Sequence, residues 1–157
     1  MIISLAKESD VIDLFELAND FVVRQNSFNE EKIELENHKK WFLGKLRDTN
    51  CYFYIIRENA DFVGFIRFDL EKAKEKKDQF IVGIGIVEKY RGKGLASKII
   101  NDANLQLLDS RKNAKIIAHI KENNPSSLKA FLKANYKIIG NSEKNNSPFY
   151  ILEYRNN

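Results

Sequence analysis

The sequence has little of what marks secreted, membrane-spanning or nucleic-acid-binding chains. It carries one cysteine, Cys51, and two prolines in 157 residues. A single thiol excludes an internal disulfide framework. No apolar run approaches the roughly 18 residues that a membrane span requires, and the opening MIISLAKESD reaches Lys7 and Glu8 before a signal-peptide core could form. The net charge of +4, from 26 basic and 22 acidic residues, has no basic tail behind it. Such a surface suits acidic small ligands and gives nucleic acid the support of charge alone. These absences lead us to expect a soluble cytoplasmic protein with neither a membrane nor a nucleic-acid partner. No metal-ligand cluster is read from the chain, and whether it forms a homodimer is left open.

What is present fits one domain over residues 1–157, with 43% hydrophobic and 11% aromatic residues to build a single core. MIISLA reads as a strand, and ESDVIDLFELANDF sets Val11, Leu14, Phe15 and Ala18 at helical spacing. VVRQNSFNEE reads as a connection. EEKIELENHKKWFLGKLRD is helical again, with Ile33, Trp41, Phe42 and Leu46 placed to face inward. CYFYIIR and DFVGFIRFDL form an antiparallel hairpin around ENAD, and EKAKEKKDQ is a solvated loop or strand end. FIVGIGIV is apolar enough to be an interior strand covered on both faces, with Gly83 and Gly85 marking a close approach to its backbone. Ile99, Ile100, Ala103 and Leu107 share a helical face. AKIIAHI is a strand, and ENNPSSLKAFLKANY is a helix capped by Asn124 with Leu128, Phe131 and Leu132 buried. YKIIG and FYILEY close the chain around the loop NSEKNNSP. The fold class is mixed α/β, with about seven strands and about four helices.

Between strand and helix lies Arg91-Gly92-Lys93-Gly94, where paired glycines let the main chain approach an anion at a helix start. A nucleoside-triphosphate P-loop would need a glycine at position 87, which is valine, and Ser or Thr after Lys93, which Gly94 follows. A dinucleotide fingerprint would need Gly or Ala at position 97, which is serine. The pattern that fits is R-x-x-G-x-[GA], carried by Arg91, Gly94 and Ala96.

This pattern, together with Asn124, Ser127, Phe131 and Asn135-Tyr136 downstream, resembles the GCN5-related N-acetyltransferases over nearly the whole chain. The resemblance implies a mostly antiparallel mixed sheet with one splayed parallel pair, and acetyl-coenzyme A as the cofactor. Ile86, Val87, Arg91, Gly92, Lys93, Gly94, Leu95, Ala96, Asn124, Ser127 and Phe131 would line its site. It further implies direct transfer to a small-molecule amine, with a backbone amide near Ile86 and Val87 holding the developing oxyanion. Many members have tyrosine where this chain has Phe131, and that hydroxyl protonates the leaving thiolate; here Ser127, a water or another tyrosine would have to act, or no acid at all.

The sequence between the first strand and the hairpin adds Asn19-Asp20, Val23-Arg24, Ser27, Ile33 and His38-x-x-Trp41-Phe42, with VGFIRFD later. This pattern resembles the subgroup that acetylates 4-amino groups on nucleotide-linked deoxysugars, as in the pseudaminic acid pathway. Acetylation of ribosomal or other protein N-termini, and non-catalytic acyl-coenzyme-A binding, are the alternatives. For the acceptor, His38 is a candidate base or a buried, hydrogen-bonded histidine. Arg24 and Arg67 are candidate clamps for a diphosphate or carboxylate, or partners of local carboxylates. Asn26 and Ser27 are sugar contacts or turn residues. Trp41 reads as core rather than a stacking platform, and His119 as structural. Nothing near Cys51 argues for a nucleophile.

Overall fold

The computed structural model describes residues 1–71 and 77–156. The chain runs β1 (Ile2–Leu5), α1 (Val11–Ala18), α2 (Phe21–Gln25), α3 (Leu35–Arg47), β2 (Cys51–Glu58), β3 (Asp61–Glu71) and β4 (Gln79–Ile86). It continues through α4 (Leu95–Ser110), β5 (Lys115–Lys121), α5 (Pro125–Lys133), β6 (Tyr136–Lys144) and β7 (Ser147–Tyr154). The strands form one seven-stranded sheet in the order β1-β2-β3-β4-β5-β7-β6. Neighbours are antiparallel except β4 and β5, which run parallel. Among the described residues no helix is long and apolar enough to cross a membrane.

Side-chain alternation divides the sheet into two faces. Tyr54, Ile56, Ile66, Phe68, Phe80, Val82, Ile116 and Ala118 pack in one cluster with Ile99, Ile100, Ala103 and Leu107 of α4 and Phe131 of α5. On the opposite face Phe53 and Ile55 pack with Leu14 of α1 and Phe42 of α3 in a smaller cluster. The second cover is short. It shields the β1–β3 side and leaves β4 partly open, so Gln79, Ile81 and Gly83 on that face are only half-buried. The expectation that β4 is covered on both faces is thereby corrected.

Three further expectations change. VVRQNSFNEE is not all connection, because Asp20 accepts from the amides of Val22 and Val23 and so caps α2. NSEKNNSP is mostly strand: β6 and β7 pair to Lys144↔Ser147 around Asn145 and Asn146, whose φ of 51° and 60° suit a two-residue hairpin turn. Leu132 is 45% exposed, and the end of its helix is buried through Phe131 and Ala134 instead. Of the stretch EKAKEKKDQ, residues 72–76 lie outside the described residues.

Candidate active site

The site begins where the parallel pair comes apart. β4 and β5 are in register from Gln79↔Lys115 to Val82↔Ala118, and there the ladder stops, although β4 runs on to Ile86 and β5 to Lys121. Val87 donates its N–H to the Val63 carbonyl at 2.9 Å. Antiparallel alternation then turns the backbone groups of Ile84 and the Ile86 N–H the other way, into the split. Of the two amides expected to serve an oxyanion, Val87's is engaged with β3 and Ile86's faces the gap.

Beyond β4 the chain makes a tight turn into α4. Gly92 and Gly94 both have φ of 72°, the left-handed region that glycine enters without a Cβ clash. A Cβ at either glycine would meet nothing within 4 Å, so the turn is an open cradle. Gly94 is the N-cap of the 16-residue α4 and offers no side-chain cap. The first amides, at Leu95, Ala96 and Ser97, therefore lack intrahelical partners and carry the positive end of the helix dipole. Lys93 is exposed beside them, its Nζ 5.5 Å from the Tyr90 ring centroid. This arrangement fits a pyrophosphate.

Arg91 is held differently from a free phosphate ligand. Its Nε donates to the Ile86 carbonyl at 2.7 Å and its Nη2 to Asp20 Oδ1 at 2.8 Å. Burial alone would raise the Asp20 carboxyl, but the Arg91 hydrogen bond and the α2 amides outweigh it and hold the pKa below its ordinary value. One carboxylate thus caps α2 and fastens the cradle. At α5, Asn124 Oδ1 accepts from the Ser127 amide at 3.2 Å, so Asn124 acts as a helix cap. Phe131 is 2% exposed and meets the Tyr136 ring edge-on at 4.9 Å. The Tyr136 hydroxyl donates to Asn104 Oδ1 in the core, and burial pushes its pKa up, which removes it as a nearby acid.

The residues expected to touch the acceptor mostly build a loop. Arg24 donates from Nε to the Ala18 carbonyl at 2.6 Å, from Nη1 to the carbonyls of Asn29 and Glu31, and from Nη2 to Ser27 Oγ. Ser27 in turn donates to the Val23 carbonyl, and Asn26 terminates α2. Asn19 exchanges two 2.8 Å hydrogen bonds with the Ile33 backbone. The Asn-Asp, Arg, Ser and Ile pattern is thus a set of clasps that shapes residues 18–33. That loop crosses to the far side of the split: Phe28 packs on Phe149 at 5.0 Å, and Lys121, 3% exposed, donates to the Gln25 carbonyl and to Glu30 Oε2.

Arg67 and Trp41 form the facing wall. The Arg67 guanidinium lies 4.9 Å from the Trp41 ring centroid and 5.5 Å from that of Phe53, while its Nε donates to Asp69 Oδ2 at 2.6 Å. Lys45 donates to Asp69 Oδ1 at 2.7 Å. Trp41 is 41% exposed, so it is a wall of the cleft and not the core residue expected. Directly across the ladder from Arg67 is Gly83, where a Cβ would meet nothing within 4 Å. Cys51 pairs with Asp69, and burial followed by that charge pushes its thiol up to about 12. A cysteine nucleophile is therefore excluded at neutral pH.

The two histidines differ in surroundings. His38 is 3% exposed among Phe15, Trp41 and Phe42, with its Nε2 buried and unpartnered. Burial pushes its pKa down, partly opposed by a hydrogen bond to the Val11 backbone. His38 therefore orients α3 against α1 as a neutral ring. His119 is only half-buried, on β5 one residue past the last β4–β5 pair. Asp69, Lys121 and His119 were not expected at the site, and Asp20 was expected in the acceptor pattern but not as the partner of Arg91. The alternation in IIAHIK, which puts His119 and Lys121 on one face, is the sequence signal that could have found two of them.

A family model described as an acetyltransferase (GNAT) domain matches residues 1–137. No curated protein matches the chain significantly. Similar solved structures include AAC(6')-Ib in complex with ribostamycin and coenzyme A, with TM-score 0.81 and 18% identity, covering 97% of this chain and 91% of that one. The ribosomal-protein-alanine N-acetyltransferase from Brucella melitensis gives TM-score 0.82 at 19% identity, covering 98% of both chains. The spermidine N-acetyltransferase from Vibrio cholerae, in complex with CoA and spermine, gives 0.84 at 14% identity, covering 97% of this chain and 93% of that one. At such identities the likeness establishes the shared fold.

Proposed function

The chain belongs to the GNAT acetyltransferase family and is an acetyl-CoA-dependent N-acetyltransferase, and on that premise we propose that its acceptor is the 4-amino group of a nucleotide-linked deoxysugar. The observation that carries this reading is the sign of charge on the cleft wall. Lys45, Arg67 and Lys121 stand there against Asp69 and Glu30, and both carboxylates are already paired. A polycation such as spermidine would meet these cations with the two facing carboxylates, Asp69 and Glu30, already engaged. A nucleotide sugar brings a diphosphate of the complementary sign. The residue pattern from Asn19 to Phe42, with Arg67 on β3, supports the same acceptor class. The fold does not choose among acceptors, because function resides in the site.

Acetyl-CoA, when bound, supplies an activated thioester carbonyl. The residues that would hold it are the amides of Gly92 to Ser97 for the pyrophosphate and the split between β4 and β5 for the pantetheine arm. There the backbone groups of Ile84 and the Ile86 N–H face the gap as an unpaired strand edge does, while the Ile86 carbonyl is held by Arg91. The Ile86 N–H is the group that would stabilise negative charge on the acetyl oxygen. Asn124 fixes the start of α5, and Phe131 closes the core beneath the split. With Phe131 in place and Tyr136 bonded to Asn104, neither of these positions supplies a tyrosine hydroxyl as acid in this reading. The thiolate is a sufficiently weak base to leave without one.

The test is free-thiol release from acetyl-CoA with a panel of amines: nucleotide-linked 4-amino-4,6-dideoxysugars, free amino sugars, spermidine and peptides beginning with the ribosomal-protein N-terminus. The expected result is turnover confined to the nucleotide sugars, weakened by added salt as their diphosphate is screened. Preferential turnover of spermidine or of the peptides would overturn the acceptor assignment and leave the family intact.

A further inference from the structure

The sheet register brings one imidazole to the point where coenzyme and acceptor must meet. β4 and β5 part after Val82↔Ala118, so Gly83 and His119 are the first residues on either side of the opening. Val82 and Ala118 belong to the α4 cluster, and alternation turns Gly83 and His119 to the opposite face. Along that face the strands line up as Phe53, Arg67 and Gly83 on one bank, then His119 and Ile151 on the other. Gly83 leaves the floor open, and Arg67 with Trp41 forms the near wall. His119 forms the far wall, its ring 5.0 Å from that of Phe149, with no protein hydrogen bond on either nitrogen among the described residues.

We propose that His119 is the general base of the acetyl transfer, taking a proton from the acceptor ammonium directly or through one water. The proposal rests on the chain being an acetyl-CoA-dependent acetyltransferase and does not depend on which amine it uses. In the step, the neutral His119 imidazole takes one proton from R–NH3+. The freed lone pair forms the C–N bond to the acetyl carbon, and the C–S bond breaks with its electrons on sulfur. The second proton leaving nitrogen ends on the coenzyme thiolate, and the imidazolium returns its proton to solvent. The products are the acetamide, free coenzyme A and one released proton.

The surroundings keep the ring neutral and oriented. Burial lowers the His119 pKa; Glu71 opposes this and Lys144 adds to it. The other charged groups on this face include Lys115 and Lys121 of β5, the latter paired with Glu30, Arg67 on β3, paired with Asp69, and Glu153 on β7. A base that is neutral near pH 7 gives a rate that falls as pH drops through its pKa. His38, the other imidazole, has no solvent-accessible nitrogen on Nε2 with which to do this.

The experiment compares wild type with His119→Asn and with His119→Phe, which keeps a ring against Phe149. Two rates are followed against pH: acetyl transfer to whichever panel amine is turned over, and the slow hydrolysis of acetyl-CoA by water, which needs the same base and no acceptor. Coenzyme binding by calorimetry confirms that each variant is folded. The expected result is a loss of about 10²-fold or more in both rates. The acid limb of the wild type should be replaced by a rate that keeps climbing to alkaline pH, where the amine or water deprotonates unaided. A folded, coenzyme-binding variant that retains both rates within roughly threefold and keeps the wild-type acid limb would overturn the proposal. If none of the panel is turned over but hydrolysis loses its acid limb in both variants, the acceptor reading fails and the base assignment stands.

Discussion

The two sides of the split are built from different parts. On the coenzyme side the groups that would meet the ligand are backbone: the amides after Gly94, the edge of β4 at Ile84 and Ile86, and two glycines with φ of 72° that leave room for it. On the acceptor side they are side chains bonded to one another, such as Arg67 with Asp69 and Trp41, Lys121 with Glu30, and Arg24 with its own loop. A backbone site is written as a short contiguous motif, because glycine and helix position determine it. A side-chain site is assembled from α3, β3, β5 and the loop after α2, and no short motif contains it. The two sides are fastened by Arg91 and Asp20, 2.8 Å apart.

If the contrast is right, substitutions should separate coenzyme affinity from acceptor use. The largest effect is expected from Gly92→Val combined with Gly94→Val. Each forces a branched residue into a left-handed conformation at about 1–2 kcal/mol, so coenzyme affinity measured by calorimetry should fall by about 10²-fold or more. Affinity near that of wild type would mean that the cradle is not the pyrophosphate site. Next comes Gly83→Val, at a position with room for the side chain and no positive φ. The side chain fills the cleft floor opposite Arg67, and the acceptor KM should rise on the order of tenfold while coenzyme affinity holds. An unchanged acceptor KM would place the acceptor elsewhere.

A smaller effect tests the fastening between the sides. Arg91→Ala and Asp20→Ala, alone and together, should couple by about 1 kcal/mol in coenzyme affinity, since the pair is only about a quarter exposed. Simple additivity would show that the sides act independently. The smallest is His38→Phe, read as thermal stability against pH. Burial holds the His38 pKa below 6.5 in the folded chain, so the unfolded chain binds the proton first. Stability must then fall as pH drops below about 6.5. His38→Phe should flatten part of that decline, His119 contributing the rest with the same sign. An unaltered acid decline would show that His38 is not buried as a neutral ring.

The sequence was most readable where local chemistry decides the outcome. The strands of the hairpin, the apolar stripe Ile99, Ala103 and Leu107, the Asn124 cap and the glycine turn all follow from spacing and residue type, and each stands where expected. The Asp20 cap of α2 and the Asn145-Asn146 turn were missed, although capping and hairpin chemistry are local, because polar residues in a row read equally as loop. Trp41 was misplaced because helical spacing gives its direction but not how far the neighbouring cover extends. The α1–α3 layer stops short of β4, and the ring is left at the edge.

By itself the sequence determined the mixed α/β architecture and the anion cradle, because propensity, capping and glycine conformations act within a few residues. The tertiary structure alone decided that Arg24 shapes a loop, that the Val87 amide pairs with β3 while the Ile86 amide faces the split, and that Gly83, Arg67 and His119 face one another. Those relations join residues dozens of positions apart through sheet register, and register is set by how the whole sheet packs.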